Sequence, residues 1–289
     1  MNEEQRFILV TLLPPLFFLT LIEFIPISYV IFYSFTDKII FEEKFNFIGL
    51  ENYISFLSSG DFINITFNSF AYGLIAAILQ TILGLFLALT LYKMSGLLST
   101  IIKVILFIPY SIPYISVALL WRFLLDQSYG PINNWLIFLG LVKKPIRFLT
   151  DTNLAMLSVI GVTVWMLTSF SMLILYAALK AVPKEQFEAA QIDGAEDLQM
   201  FRYVTWPWIN RMFYITLFLR FLFNFGKFDL IWLLTQGGPL KSTETFPINV
   251  WLTAFAEYRY GEAATIAIVS LLILMIPLLL FVYVTRERG

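Results

Sequence analysis

FINITFNSFAYGLIAAILQTILGLFLALTLY, residues 62–92, contains no charged side chain from end to end. A helix rises ~1.5 Å per residue, so roughly 20 residues cross the ~30 Å hydrocarbon layer of a bilayer. An uncharged run longer than that reads as a membrane span, because an α-helix pairs its own backbone groups and can leave an apolar exterior in lipid.

The rest of the chain agrees. Of its 289 residues 59% are hydrophobic and 13% charged, about half the charged share of a soluble domain. Thirty phenylalanines and seven tryptophans add more apolar surface than a water-soluble core of this size could hide. Five further segments have span length. The first, 7–35, holds one charge, Glu23, and is too long for a cleavable signal peptide. The third, 103–122, contains Pro109 and Pro113, and the fourth, 153–179, is charge-free. The fifth, 212–234, carries Arg220, Lys227 and Asp229, and the sixth, 263–284, ends before Arg286 and Arg288. The expected fold is therefore all-α and integral to the membrane, with six transmembrane helices. Polar stretches join them at 36–61, 93–103, 122–152, 180–211 and 235–262. The 122–152 stretch, with Gly130, Pro131, Asn133, Asn134 and the Lys143–Lys144 pair, reads as an ordered loop with a short amphipathic piece.

Several functions are excluded. A net charge of −1 gives no basic face for nucleic acid. With no cysteine there is no thiolate nucleophile, disulfide or Cys-type metal site, and with no histidine the commonest general base and metal ligand is missing. An intramembrane enzyme, such as a lipid-linked glycosyltransferase, stays open as a lesser alternative, but it would have to work with carboxylates, lysine, tyrosine or serine alone, and no span holds a pair of carboxylates. Counting Lys and Arg gives only a slight preference, by basic density, for an inside N-terminus.

One polar stretch is unlike an ordinary loop. Residues 182–207 read VPKEQFEAAQIDGAEDLQMFRYVTWP. Pro183 suits the first position of a helix and Glu185 its positive end. Ala189 and Ala190 let another surface come close, and Asp193 and Gly194 break the helix. Asp193 is expected to cap a second helix, with Glu196 completing a capping box, and Pro207 to limit that helix near Trp206. Physics alone describes an amphipathic connection on the membrane surface.

The pattern Glu188-Ala189-Ala190, Gly194 four residues later, then Val204-x-Trp206-Pro207 resembles the EAA loop of bacterial and archaeal ABC-importer permeases. The fuller run from Pro183 to Phe201 is similar to the carbohydrate-uptake class of type I importers. So are Leu234-Thr235-Gln236-Gly237-Gly238-Pro239 (L-T-x-G-G-P) and Pro109-Tyr110-x-x-Pro113 (P-Y-x-x-P). Trp206, Val204 and Arg211 depart from the usual leucine, isoleucine and proline, which bears only on how the chain leaves the loop. The resemblance covers about 62–285 and implies a type I transmembrane domain there, with residues 1–61 an added helix and extracytoplasmic loop. It implies that the 183–207 loop is cytoplasmic and docks on an ATPase through Glu188, Ala189, Ala190, Asp193, Gly194 and Pro207. Both termini would then be cytoplasmic, and the protein a multi-pass component of the cell membrane.

No G-x-x-x-x-G-K-[ST] sequence occurs, so the chain needs a separate motor. No cofactor is expected in this chain; ATP and magnesium would sit on that ATPase. The resemblance further implies a homologous second permease, a homodimeric ATPase, an extracytoplasmic solute-binding protein and a sugar substrate.

Where a solute passes can also be read. Arg220, Asn224 and Lys227 are spaced 0, +4 and +7 and so fall within one narrow arc of the fifth helix, and charges at membrane depth face a bundle interior or a wet cavity. Arg220 and Asp229 read equally well as partners in interhelical salt bridges. Trp165, Ser169, Met172 and Tyr176 share a face of the fourth helix, and Tyr110, Tyr114 and Trp121 a face of the third; for Trp121 and Tyr176 packing or an interfacial belt is the preferred reading. The resemblance implies that Tyr110, Tyr114, Trp165, Asn224 and Lys227 line a sugar pathway, to which Ser169 and Arg220 are added here. An anionic solute such as glycerol phosphate is the alternative, because two cations lie in the arc.

Overall fold

The computed structural model describes residues 3–286, and among these the regular structure is helical apart from two isolated bridges, Thr36 to Phe47 and Ile39 to Arg259. α1 (Glu3–Leu19) passes through a π-helical turn, Thr20–Phe24, into α2 (Ile25–Tyr33). α3 (Glu51–Ser58), α4 (Gly60–Lys93), α5 (Gly96–Ser111), α6 (Tyr114–Leu124), α7 (Pro131–Phe138) and α8 (Ala155–Lys180) follow. Then come α9 (Lys184–Ile192) and α10 (Asp197–Met200), and a second π turn, Phe201–Thr205, leads into α11 (Trp206–Phe225). α12 (Asp229–Thr235), α13 (Phe246–Trp251), a third π turn, Leu252–Ala256, and α14 (Tyr260–Arg286) complete the chain.

Among the described residues four helices are long and apolar enough to cross a membrane: Arg6–Tyr33, Gly60–Lys93, Ala155–Lys180 and Tyr260–Tyr283. The third expected span is bent. α5 and α6 meet at 94° and make a fifth span only if taken together. The cause is local: the residue before a proline is pushed out of the α region, and Ile112, before Pro113, is extended (φ −81°, ψ 135°). Tyr110 therefore lies on α5 and Tyr114 and Trp121 on α6, so the three do not share one straight face. The expected span 212–234 is also divided, because α11 stops at Phe225 and α12 restarts at Asp229. By length and composition the described residues thus give four or five spans where the sequence expects six.

The chain forms two compact units, Met1–Ile63 with Asn249–Gly289, and Asn64–Ile248. In the first, α14 packs on α2 and α3. The Thr265 hydroxyl donates to the Ser34 carbonyl (2.9 Å) and the Asn52 amide to the Thr36 carbonyl (2.8 Å), which fixes the turn after α2. The span Arg6–Tyr33 has no buried residue in its most apolar window, a surface suited to lipid.

The second unit is built around α8, which packs against α5, α11 and α12. α4 turns a buried face of small and polar residues inward, with Gly73, Ala77, Gln80, Gly84, Ala88 and Leu91 recurring every three or four positions. Between helices in lipid there is little hydrophobic drive, so association rests on close packing and hydrogen bonds. The closest approach is at Gly84, where a Cβ would stand 2.7 Å from Ser171 Cβ and 2.9 Å from the Met172 backbone nitrogen.

Gly84→Val is therefore expected to push α4 off α8 at a cost of ~1–3 kcal/mol. Gly161→Ala, at a helix position with nothing within 4 Å, is expected to be neutral or slightly stabilising. Thermal melting of the detergent-solubilised protein checks both; equal melting temperatures for the two variants would contradict this packing.

Candidate functional site

Residues 183–207 form a helix, a turn and a second helix, but with different caps from those expected. Pro183 stands before α9, and its first turn holds Glu185. Asp193 does not cap the next helix. It closes α9, its N–H bonded to the Ala189 carbonyl at 3.0 Å. The capping box is formed one turn later by Glu196 and Gln199, with the Glu196 N–H donating to Gln199 Oε1 at 2.9 Å. A glutamine at the third helical position serves as well as a glutamate, and Glu196 has the extended backbone that a capping residue needs (φ −74°, ψ 166°).

Gly194 has φ +75°, and a Cβ added there would meet nothing within 4 Å, so the backbone, and not space, demands glycine. Pro207 also differs from expectation. It ends no helix but sits in the first turn of α11, where its missing N–H is tolerated. The π turn just before it, Phe201–Thr205, widens the helix where the proline ring would otherwise press on the preceding turn.

This segment presents apolar side chains to the outside. Ile192 is 87% exposed and Leu198 76%, with Glu188, Ala189 and Asp193 exposed beside them. Between the segment and the end of α4 runs a groove of about 1060 Å³, walled by Phe86, Tyr92, Phe187, Leu198 and Phe201 with Lys93 and Glu188 at its margin. Lys93 pairs with Asp197 at 2.7 Å across it. Both are exposed, so this pair contributes little to stability.

At the opposite end of α8 and α11 the chain is ordered differently. The Asn133 side chain ties the 122–152 stretch together, accepting from the Ile146 N–H (2.8 Å) and donating to the Asp126 and Ile146 carbonyls. Asp126 accepts the N–H groups of Ser128 and Tyr129, which holds its carboxyl below the usual range. That contribution is present above the ordinary aspartate pKa and is lost as pH falls through the lowered value. The Leu234–Pro239 motif faces the same stretch across a pocket of about 510 Å³ that also holds Arg122 and Arg147.

The residues expected along the pathway lie on α5, α6, α8, α11 and the break after α11, in two groups. Tyr110 and Trp165 are exposed, at 36% and 39%. Tyr110 stacks on Phe170 at 6.0 Å and Trp165 meets Trp121 edge-on at 5.4 Å. Tyr114 accepts a hydrogen bond from Lys227 Nζ at 3.0 Å, with the ammonium 4.5 Å from its ring centre. The other three are buried. Ser169 donates to the Leu106 carbonyl of α5 at 2.6 Å. Arg220, 4% exposed, donates to Ser171 Oγ at 3.1 Å and to the Leu167 carbonyl, and its guanidinium lies 4.6 Å from the Phe170 ring centre. Asn224, fully buried, donates to Gln80 Oε1 at 3.2 Å.

The continuous arc is thus not realised. Arg220 and Asn224 lie on α11, whereas Lys227 lies past its end and turns to α6. Nor does the face of α8 behave as one surface, because Ser169 and Met172 are buried and Trp165 is not. Between its two readings, Arg220 takes neither an open pathway position nor a carboxylate partner among the bonds above; it ties α11 to α8. Sequence reasoning passed over Gln80, Phe170 and Ser171. For Gln80 the signal was present: beyond Asn64 and Asn68 near its start, it is the one amide in the uncharged 62–92 run.

Comparison with known proteins places this geometry. The family described as "Binding-protein-dependent transport system inner membrane component" matches residues 80–288. A probable ABC transporter permease protein of Pyrococcus horikoshii is 30% identical over 99% of both chains. The trehalose/maltose transport system permease protein MalF of Thermococcus litoralis is 32% identical, over 84% of this chain and 81% of its own. A solved bacterial alginate ABC transporter, in complex with a periplasmic protein carrying an alginate pentasaccharide, has a subunit with the same fold: TM-score 0.86 at 21% identity, over 99% of this chain and 96% of that one. The chain therefore belongs to the binding-protein-dependent transport system inner membrane components, as a membrane-embedded ABC-transporter permease whose ATP is hydrolysed by a separate subunit.

Proposed function

We propose that this chain forms half of the translocation pathway of an ABC importer for a neutral sugar. The observation that carries the choice of a neutral cargo is that Arg220 is buried and turned to Ser171, Leu167 and Phe170, while the rings of Tyr110 and Trp165 are more than a third exposed. Lys227 gives one of its three N–H groups to the Tyr114 hydroxyl. Aromatic faces suit the C–H surfaces of a sugar, and a phosphate would need cations free to make charge-assisted bonds. The relation to the Thermococcus litoralis trehalose/maltose permease supports the same class.

In this reading the chain crosses the membrane six times, counting the bent α5–α6 pair and the divided α11–α12 pair as spans. Residues 62–285 form the type I domain, and the 183–207 segment is the cytoplasmic coupling loop, docking through Glu188, Ala189, Ala190, Asp193, Gly194 and Pro207. Its exposed Ile192 and Leu198 supply the apolar part of the docking face. A second, homologous permease completes the pathway, a dimeric ATPase holds ATP and magnesium, and an extracytoplasmic protein delivers the sugar. Both chain termini are cytoplasmic; residues 1–2 and 287–289 lie outside the described residues.

Three outcomes test this. Uptake of labelled maltose, trehalose, lactose and xylose, and of glycerol 3-phosphate, is measured with the neighbouring ATPase, permease and binding-protein genes co-expressed. Trp165→Ala is expected to impair sugar uptake at least as much as Lys227→Gln; glycerol 3-phosphate uptake abolished by neutralising either cation, with Trp165 dispensable, would favour the anionic cargo. For the coupling loop, Glu188→Lys with Gly194→Asp should release the ATPase or uncouple it while the protein stays inserted. Normal co-purification and transport by that double variant would remove the coupling assignment. For topology, the chain has no cysteine, so single cysteines at Asn2 and Gly289 report cleanly: neither should react with an impermeant maleimide outside intact cells.

A further inference from the structure

Two lysines meet on one tyrosine at the end of α8 that leads into the coupling segment. Lys103 of α5 donates from Nζ to the Tyr176 hydroxyl at 2.8 Å and lies 4.3 Å from the ring centre. Lys180, one turn after Tyr176 on α8, lies 5.6 Å from that ring and 5.0 Å from the ring of Tyr92 on α4. The faces of the rings hold both ammoniums. No carboxylate does: among the described residues neither lysine is in an ion pair, and Asp197 beside the groove is paired with Lys93.

These groups donate and do not accept. Each ammonium has three N–H donors and no lone pair, and Lys103 gives one of them to Tyr176. The Tyr176 oxygen takes that bond, so its own proton remains to be given, and no acceptor of the described residues receives it. Two like charges on one ring also repel, so the arrangement calls for an anion with several acceptor oxygens. Its place indicates which one. The cluster rests on a buried apolar floor of Met172, Leu175 and Leu179. Tyr92 joins it to the groove of about 1060 Å³, which runs from Phe86 and Leu89 in the apolar span to Lys93 and Lys184 at its margin. That margin is balanced by Glu188 and Asp197, so the unbalanced positive charge lies at Lys103 and Lys180. An apolar trough beside a cationic corner, at the level where a span leaves the hydrocarbon, has the two parts of a phospholipid site.

We propose that the phosphate of an anionic phospholipid of the cytoplasmic leaflet binds between Lys103, Lys180 and the Tyr176 hydroxyl, with an acyl chain in the groove beside Tyr92. The leaflet rests on the reading of 183–207 as the cytoplasmic coupling loop; the cargo does not enter. Phosphate oxygens take an N–H from each lysine and the O–H of Tyr176, which bridges α5 to α8. Two turns back along α8 the same two helices are joined by the Ser169 bond to the Leu106 carbonyl. The lipid therefore closes the α5–α8 contact at the end where α8 enters the coupling segment. A zwitterionic lipid also carries a phosphate, but its own cationic group meets two lysines and is disfavoured there.

The experiment places the complete transporter, with its partner permease and ATPase, in phosphatidylcholine nanodiscs with rising phosphatidylglycerol. Bound phosphatidylglycerol is counted by native mass spectrometry. The wild type is expected to retain one such lipid that Lys103→Gln and Lys180→Gln each bind about tenfold more weakly, the loss of one hydrogen bond to a charged group. Tyr176→Phe keeps the ring and should weaken binding about threefold or more, whereas Lys180→Arg should keep it. Lys180 is exposed, so its variants leave the packing intact. Arg211→Gln removes an exposed charge whose side chain makes no bond among the described residues, and should stay within about twofold of the wild type. Phosphatidylglycerol should also raise the melting temperature of the wild type and not that of the Lys103→Gln, Lys180→Gln double variant. Equal binding by the wild type and the double variant overturns the proposal. So does an equal loss in Arg211→Gln, which would show only the attraction of basic residues to an anionic surface. A wild-type complex that retains no phosphatidylglycerol has the site covered by a partner chain, which overturns it too. Displacement by millimolar inorganic phosphate assigns the site to a free anion and overturns the lipid. Each of these leaves the coupling reading standing, because Glu188→Lys with Gly194→Asp tests that separately.

Discussion

In a hydrocarbon layer no water is at hand, so each polar group must find its partner in the chain, and this one requirement organises the second unit. The same solution recurs at three contacts with α8: a side chain from one helix donates to the backbone carbonyl of another. Ser169 reaches Leu106 on α5, Arg220 on α11 reaches Leu167, and Gln80 on α4 reaches Thr163. A carbonyl has two lone pairs, so it can accept such a bond without giving up its place in the helix. Polar residues thus join helices whose apolar surfaces gain little from leaving lipid for one another.

Interruptions in the helices obey the same rule. Two π turns stand directly before helices that open with a proline, Thr20–Phe24 ahead of Pro26 and Phe201–Thr205 ahead of Pro207. A proline ring presses on the turn before it and offers no N–H; one wide turn relieves the pressure and lets the helix continue. Where the break is complete, after α12, side chains close it. Asn64 and Asn68 donate to the Lys241 carbonyl, Asn68 also to that of Glu244, and Ser69 accepts the Phe246 N–H.

This explains what could be read in advance. Long apolar runs such as 62–92 were legible because span length and hydropathy are properties of the segment alone. Gly194 was legible for the same reason, since a helix followed by Asp-Gly carries its own ending. The bend at Pro113 and the end of α11 at Phe225 were not, because a proline or an Asn-Phe-Gly sequence is compatible with a kinked span as well as a broken one. The arc of Arg220, Asn224 and Lys227 failed with that break, as it assumed three residues on one helix. The capping box shifted by three residues, against the preference for Asp over Glu as a cap, because the backbone is extended at Glu196 (ψ 166°) and not at Asp193 (ψ 1°). Gln80 was overlooked for a different reason: its role exists only in relation to Thr163 and Asn224, which are remote in sequence.

The two candidate regions are joined by continuous helix. The proposed coupling segment runs without a loop through the second π turn into α11, whose 20 residues span ~30 Å. Arg220 and Asn224 stand near its far end. A displacement applied at α10 would therefore reach them as the rotation or shift of one rod, not through a flexible connection. Arg220 ties that rod to α8, which itself enters the coupling segment from its other side at Lys180. Both helices that hold the buried polar contacts thus end at the segment proposed to meet the ATPase. Turning α11 relative to α8 would strain the Arg220 contacts and the Gln80–Asn224 bond together. Since these bonds have well-defined geometry and the apolar contacts around them do not, the polar contacts are where two arrangements of the pathway would differ most in energy.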